Sequence, residues 1–398
     1  FRCQSGVVIT ASHNPKAYNG YKAYWDDGAQ VIAPHDKLII SEVQAIQSIE
    51  KVRFDARPEN IELIGKEIDD IYTDQITGLS LSHDVIKRQN RMKIVYTPLH
   101  GSGVTLVPQV LKKFGFTNVS LVPGQDIPDG NFPTIHSPNP EESAALSMAI
   151  KQAEDTDADL VMATDPDADR VGIVVKNSEG KYIILNGNQT ATLLVGYLLQ
   201  KWSEKGKLKG KEYIVKTIVT TELLAEMAKR YKVKCYDVLT GFKYIADVIR
   251  KFEGVQTFIG GGEESYGYLA GEFVRDKDAI MACALIAEAA ACARDEGKTM
   301  YDRLLEIYTE YGLFREKLIS VEKQGKSGQE EIQIMMQQFR KNPPATINGS
   351  PLVEIMDYLD EKCLQKANQK NGGIIIPKSD VLQFFTKDNT KISIRPSG

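Results

Sequence analysis

Five times along this chain a short β-branched or apolar run passes at once into a polar or glycine-rich loop, with helical stretches between. Val7-Val8-Ile9-Thr10 leads into Ala11-Ser12-His13-Asn14-Pro15, and Ile94-Val95-Tyr96-Thr97 into Pro98-Leu99-His100-Gly101. Leu160 to Thr164 leads into Asp165-Pro166-Asp167, Thr257-Phe258-Ile259 into Gly260-Gly261-Gly262, and Ile392-Ser393-Ile394 into Arg395-Pro396-Ser397-Gly398. Runs without alternation predict strands covered on both faces, the setting of a parallel sheet. Helical patterns at 106–114, 141–155, 189–205, 222–231 and 279–293 complete an α/β alternation. In such sheets ligands bind beyond the carboxyl ends of the strands, so one site assembled from several of these loops is expected.

Composition narrows the class. The 398 residues allow two to four domains at roughly 150 residues each. Lys plus Arg is 49 against Asp plus Glu 53, a formal charge of −4, which offers no bulk basic surface for nucleic acid. The five cysteines form no C-x-x-C pair, so neither a disulfide framework nor a zinc knuckle is indicated, and a reducing cytoplasm is the simplest home. The Ala-rich stretch 279–293 is interrupted by Glu288 and falls short of the ~20 residues of a bilayer span; it predicts a buried helix capped by Asp278 and stopped near Gly297. Breaks near 88–91, 186–188 and 311–312 predict four segments: 1–90, 91–186, 187–312 and 313–398. The chain opens on Phe1 without an initiating Met and stops at Gly398, so the first and last segments are expected to be incomplete.

Four motifs carry chemistry. Thr10-Ala11-Ser12-His13-Asn14-Pro15 presents a serine on a post-strand turn, with His13 and Lys22 as candidate activators; a Ser12 that merely caps a helix is the alternative. Asp165-Pro166-Asp167-Ala168-Asp169-Arg170 places three carboxylates at alternate positions, where they repel unless a cation lies between them. Oxygen ligands of this kind suit Mg²⁺ or Ca²⁺, while Arg170 and Lys176 occupy the positions where an EF-hand requires Gly and Glu. A solvated acidic turn remains the other reading. Gly260-Gly261-Gly262-Glu263-Glu264-Ser265-Tyr266-Gly267, with Arg275-Asp276-Lys277-Asp278 after it, combines close backbone approach with groups that bind vicinal hydroxyls. Alone, such a Gly-rich turn is commonplace. Arg395-Pro396-Ser397-Gly398 offers a guanidinium fork, a hydroxyl and a backbone N–H to a phosphate. Gly101-Ser102-Gly103 after His100 could touch a phosphate but reads rather as a flexible strand-to-helix turn, and His35, His83 and His136 show no ligand spacing.

Taken together and in this order, these motifs resemble the α-D-phosphohexomutase family, and over essentially the whole chain. Pro133-Thr134-Ile135, Pro138-Asn139-Pro140-Glu141 and Asn19-Gly20-Tyr21-Lys22-Ala23-Tyr24-Trp25 look most like its longer phosphoglucomutase and phosphopentomutase branch. The resemblance implies three α/β domains with mixed, largely parallel sheets and a smaller α+β C-terminal domain around one cleft. It implies Ser12 as the phosphorylated serine, with His13 and Lys22 as acid/base candidates. Ser12, Asp165, Asp167 and Asp169 would hold Mg²⁺. Arg170, Thr240, Gly241, Glu263, Ser265, Lys277, Arg395, Ser397 and Gly398 would bind substrate, the loop Thr240-Gly241-Phe242-Lys243 sensing sugar orientation. The implied activity is interconversion of glucose 1-phosphate and glucose 6-phosphate through a phosphoserine and a hexose 1,6-bisphosphate, which also serves as activator. Phosphomannomutase or phosphopentomutase activity is the near alternative; a metal-dependent phosphatase or a non-catalytic sugar-phosphate binder is the distant one. The expected partners are small sugar phosphates, with neither nucleic acid nor membrane, for a cytoplasmic monomer or homodimer.

Overall fold

The five strand runs read from the sequence are strands in the computed structural model, which describes residues 2–323 and 325–396. β1 (Ser5–Ile9) and β2 (Tyr21–Trp25) form an antiparallel two-stranded sheet. β3 (Ile94–Thr97), β4 (Val119–Leu121), β5 (Leu160–Thr164), β6 (Val171–Lys176) and β7 (Tyr182–Leu185) form a sheet of order β4-β3-β5-β6-β7. β8 (Glu212–Thr217), β9 (Lys234–Val238), β10 (Thr257–Gly262) and β11 (Tyr268–Ala270) are ordered β11-β10-β8-β9. β12 (Thr346–Ile347), β13 (Ser350–Asp357), β14 (Leu382–Thr386) and β15 (Lys391–Ile394) make a fourth, antiparallel sheet in chain order.

The sheets are mixed. β3 pairs parallel with β4 and β5, and β10 parallel with β8, whereas β5–β6, β6–β7 and β10–β11 are antiparallel. Two of the five runs depart from the expected parallel setting: β1 and β15 lie in antiparallel pairs. Each is joined to its neighbour by a connection without a helix, and a parallel return requires a long crossover.

The helices are α1 (His35–Gln44), α2 (Lys66–Thr77), α3 (His83–Arg88), α4 (Gly103–Phe114), α5 (Ser143–Thr156), α6 (Gly187–Glu204), α7 (Leu223–Arg230), α8 (Phe242–Phe252), α9 (Ala279–Asp295), α10 (Met300–Tyr311), α11 (Gly325–Lys341) and α12 (Glu361–Lys370). Their ends follow local chemistry. Asn186 and Gln189 form a capping box at α6, and Thr299 with Asp302 forms another at α10. Asp278 caps α9 as expected, its Oδ1 accepting from Met281 N at 2.9 Å, and Gly297 follows the helix with φ 73°. Small side chains let α9 run buried through almost its whole length, packed on α3, α4 and α6. No helix among the described residues is long and apolar enough to cross a membrane.

The chain divides into two compact units. The first comprises residues 1–216, 220–235 and 241–314; the second comprises 217–219, 236–240 and 315–398. In the first unit α5 packs on β3 and β5, burying Val95, Leu146, Ala149, Val161 and Val174 in one core. In the second, Met336 of α11 packs on Leu382 and Phe384 of β14.

Candidate active site

The serine loop closes on itself. Thr10 N donates to Gly20 O at 3.1 Å across the mouth of the β1–β2 hairpin, and Asn14 N donates to Ala11 O at 3.1 Å. The residues after Ser12 make turns and no helix, so Ser12 is not a helix cap. Ser12 itself adopts a left-handed backbone, φ 53°, with its N–H donating to Thr10 Oγ1 at 2.8 Å. Such a conformation costs a non-glycine residue of order 1 kcal/mol or more and is frequently retained at functional sites. Its hydroxyl donates to Asp165 Oδ2 at 3.1 Å and lies 3.2 Å from His13 Nδ1.

Asp165 to Arg170 form the short connection between β5 and β6, tightened by Ala168 N donating to Asp165 O at 3.0 Å. Asp165 is completely buried, and its Oδ1 accepts from the N–H groups of Asp169 and Arg170 at 3.1 and 3.0 Å. Lys22 opposes Val8 in the hairpin, and its Nζ reaches Asp167 Oδ2 at 3.2 Å and Asp169 Oδ2 at 3.1 Å. Lys277 reaches the same Asp169 oxygen at 2.7 Å. Burial of Asp165 and Asp169 excludes a solvated acidic turn.

The electrostatics follow from this crowding. Burial first, then the charges of Asp169 and Asp167, hold the Asp165 carboxyl well above the usual carboxylate range. Burial pushes Asp169 the same way, but the Lys277 and Lys22 ammonium groups outweigh it and bring Asp169 down to about 2. Burial, reinforced by Arg170, brings His13 down to about 4. Lys22 is raised: burial opposes its charge most strongly, and Asp169 and Asp167 overcome that.

These residues fit a divalent cation. One oxygen from each of Asp165, Asp167 and Asp169 lies within 4.8 Å of the others. Asp167 Oδ1 and Asp169 Oδ1 are buried and accept no hydrogen bond, an arrangement that is costly without a cation. Hard oxygen donors are the set Mg²⁺ takes.

Gly260, Gly261 and Gly262 of the sugar motif lie in β10 itself, where a Cβ on Gly261 would strike Val215 O of β8, and not in the loop expected. Residues 263–267 turn between β10 and β11, with Glu263 N donating to Gly267 O at 2.9 Å. A Cβ on Gly262 would lie 2.4 Å from that same Gly267 oxygen, so the turn closes only over glycine. Glu263 is buried and accepts from Gly241 N at 2.7 Å; burial, then Glu264, raises its carboxyl. Ser265 is half-buried, and Thr240 Oγ1 is buried without a hydrogen bond. This loop is stitched to the Asp loop: Val171 N donates to Tyr266 O at 3.0 Å, and Arg170 bridges to Gly267. Ser12, His13, Lys22, Asp165, Asp167, Asp169, Arg170 and Lys277 thus form one cluster in the first unit, with Glu263 and Gly241 joined to it through the backbone. Arg395 is exposed after β15 in the second unit; Ser397 and Gly398 lie outside the described residues.

Several supporting residues were not among the expected site residues. Ser102 N and Oγ both donate to Pro166 O at 2.9 Å, and a Cβ on Gly101 would stand 2.4 Å from Pro166 Cα. The Gly101-Ser102-Gly103 turn therefore braces the Asp loop. His100 binds Ile127 O at 3.1 Å and Thr134 Oγ1 at 2.8 Å, pinning the following loop, from which Ser137 donates to His13 O at 3.2 Å. Glu141 stands 3.6 Å from Arg170 Nη1.

Three family models match successive parts of the chain. They describe the alpha/beta/alpha domains I, II and III of phosphoglucomutase/phosphomannomutase, over residues 1–50, 70–180 and 186–311 respectively. The phosphoglucomutase of Staphylococcus haemolyticus is 38% identical over 398 residues, 99% of this chain and 71% of that protein. The chain belongs to the phosphoglucomutase/phosphomannomutase family. A phosphoglucomutase of Staphylococcus aureus strain MRSA252 is 36% identical over 397 residues, 99% of this chain and 70% of its own. Among solved structures, the Paramecium phosphoglucomutase parafusin covers all of this chain and 70% of its own with TM-score 0.66 at 16% identity. A Burkholderia thailandensis phosphoglucomutase/phosphomannomutase family protein covers 88% of this chain and 65% of its own with TM-score 0.60 at 20% identity. Both share the fold. As a member of this family the chain is a phosphosugar mutase, an intramolecular phosphotransferase.

Proposed function

We propose that this mutase interconverts glucose 1-phosphate and glucose 6-phosphate, with Ser12 as the residue that carries the phosphoryl group. The observation that supports it most is the position of Ser12 Oγ, within hydrogen-bond reach of both His13 Nδ1 and Asp165 Oδ2, on a strained turn facing three clustered carboxylates. The relatives named phosphoglucomutase, at 36–38% identity, support glucose as the sugar.

Phospho-Ser12 donates its phosphoryl group to the free hydroxyl of a hexose monophosphate, whose proton passes to a basic group, giving the hexose 1,6-bisphosphate. The sugar then turns and returns its other phosphate to Ser12, and the product hydroxyl recovers a proton. His13 and Lys22 stand where those protons are exchanged: His13 contacts Ser12 Oγ, and Lys22 lies on Asp167 and Asp169. Glu263 and Ser265 bind sugar hydroxyls, with Gly241 donating to Glu263; Thr240 is proposed as a substrate ligand on its motif alone. Arg170 and Lys277 serve the phosphates; Arg395, Ser397 and Gly398 are proposed as phosphate ligands on their motif alone. Asp165, Asp167 and Asp169, with an oxygen on Ser12, are the residues that would hold Mg²⁺, which polarises a transferring phosphoryl group and offsets the charge of about −2 on phosphoserine. The same reading makes hexose 1,6-bisphosphate the activator, sugar phosphates the partners and the cytoplasm the location of a monomer or homodimer.

The test is a coupled assay with glucose 1-phosphate, Mg²⁺ and a trace of glucose 1,6-bisphosphate, alongside mannose 1-phosphate and ribose 1-phosphate. Glucose 6-phosphate should form fastest. Release of free phosphate would replace the mutase by a phosphatase, and faster turnover of mannose or ribose phosphate would move the sugar assignment.

A further inference from the structure

Residues two apart on a strand share a face, so β2 presents Lys22 and Tyr24 to the same side of the hairpin. Lys22 reaches the Asp loop, while the Tyr24 hydroxyl donates to Asp276 Oδ2 at 2.7 Å. Asp276 Oδ1 in turn accepts from Lys277 N at 2.9 Å and stands 3.5 Å from Lys277 Nζ. Lys277 Nζ then meets Asp169 Oδ2, the oxygen that Lys22 also holds. A closed circuit results: Lys22, Asp169, Lys277, Asp276, Tyr24 and back along β2. Burial, then the Asp276 charge, keeps the Tyr24 hydroxyl protonated, so it remains a donor.

Lysine carries its charge on a flexible four-carbon stem, and an ammonium beside several carboxylates has more than one place to go. Asp276 supplies the second contact that steadies the Lys277 ammonium beside Asp169, and Asp276 is itself held by the Tyr24 hydroxyl of the hairpin. We propose that Tyr24 is a positioning residue: by fixing Asp276 it sets the Lys277 ammonium against Asp169, and so places Lys22 and Lys277 together beside the serine loop. This rests on the mutase reading above and adds to it a residue that touches neither Ser12 nor the Asp loop. A simple staple between the hairpin and the loop after β11 would instead show itself only in stability.

Tyr24→Phe removes the hydroxyl and keeps the ring. In the metal-free full chain, acylation of Lys277 by an amine-reactive reagent, followed by peptide mass spectrometry, should rise about threefold or more. Lys243, whose Nζ pairs with Asp36 at 3.3 Å, serves as the control and should not change. In the assay with glucose 1-phosphate, kcat should fall about fivefold to tenfold, the size of one hydrogen bond in a network, with KM within about twofold. Asp276→Asn should do the same, and the double variant should be no worse than the worse single one. Unchanged Lys277 reactivity in Tyr24→Phe overturns the proposal, as does a parallel rise at Lys243 with a lower melting temperature, which would mark a loosened hairpin. Should the parent protein convert no sugar phosphate, the mutase reading fails, while Lys277 reactivity still decides the role of Tyr24.

Discussion

At Ser12 the backbone conformation, the hydroxyl and the neighbouring charges act together. A left-handed turn holds Oγ toward Asp165 and His13, while Ser137, from a distant loop, holds the His13 carbonyl. Asp167 differs from Asp165 in its accessibility to a ligand: Asp165 Oδ1 is occupied by two backbone N–H groups, whereas Asp167 Oδ1 accepts nothing. Asp167→Asn should therefore raise the Mg²⁺ concentration for half-maximal activity about tenfold or more, a loss of about 1.4 kcal/mol or more. A titration of activity against Mg²⁺ checks this, and an unchanged midpoint would remove Asp167 from the metal set. The clustered Asp residues were legible because three carboxylates at alternate positions after an apolar strand have few uses. Tyr24 was not, since its partner Asp276 lies 252 residues away and no local pattern links them.

At the scale of elements, strand-to-loop transitions do most of the positioning. β3 and β5 are parallel neighbours, so their carboxyl-end loops meet, and Gly101 sits against Pro166. β10 delivers Glu263, and its turn is bonded to the Asp loop through Arg170 and Val171. α9 anchors this region through Asp278, which caps the helix and accepts from Tyr72 Oη at 2.6 Å. Burial raises the Asp278 carboxyl, with Tyr72 and backbone N–H groups opposing. Its folded-state pKa thus exceeds its unfolded one, near 3.9, and the folded state binds more protons between the two. The stability it contributes is full below about pH 3.9 and declines as pH rises through the folded pKa. Asp278→Asn keeps a cap and removes the titration, so urea unfolding midpoints should shift in the variant's favour as pH rises above about 3.9. A constant difference would contradict the assignment. The strand positions were legible from apolar runs ending in loops; the antiparallel setting of β1 and β15 was not, because an unalternating run does not report its partner's direction.

Across the whole molecule, the serine hairpin stands apart in how it is held. Between residues 2 and 65 only Ala29 and Val31 are buried, so this region has almost no apolar core of its own. Its place relative to the rest of the first unit is marked by polar contacts: Ser12 to Asp165, Lys22 to Asp167 and Asp169, Tyr24 to Asp276, and Asp36 to Lys243. The order of motifs along the chain announced the family, and the three matched domains agree with it. The long-range contacts that assemble the site follow no sequence period and became visible only in the fold. The central claim is that Ser12 carries the phosphoryl group. The most direct test is to incubate the protein with Mg²⁺ and glucose 1,6-bisphosphate labelled in its phosphates, then map the label by peptide mass spectrometry. The label should appear on Ser12 and leave on addition of glucose 6-phosphate, with Ser12→Ala unlabelled and inactive. Label on another residue, or turnover retained by Ser12→Ala, would contradict it.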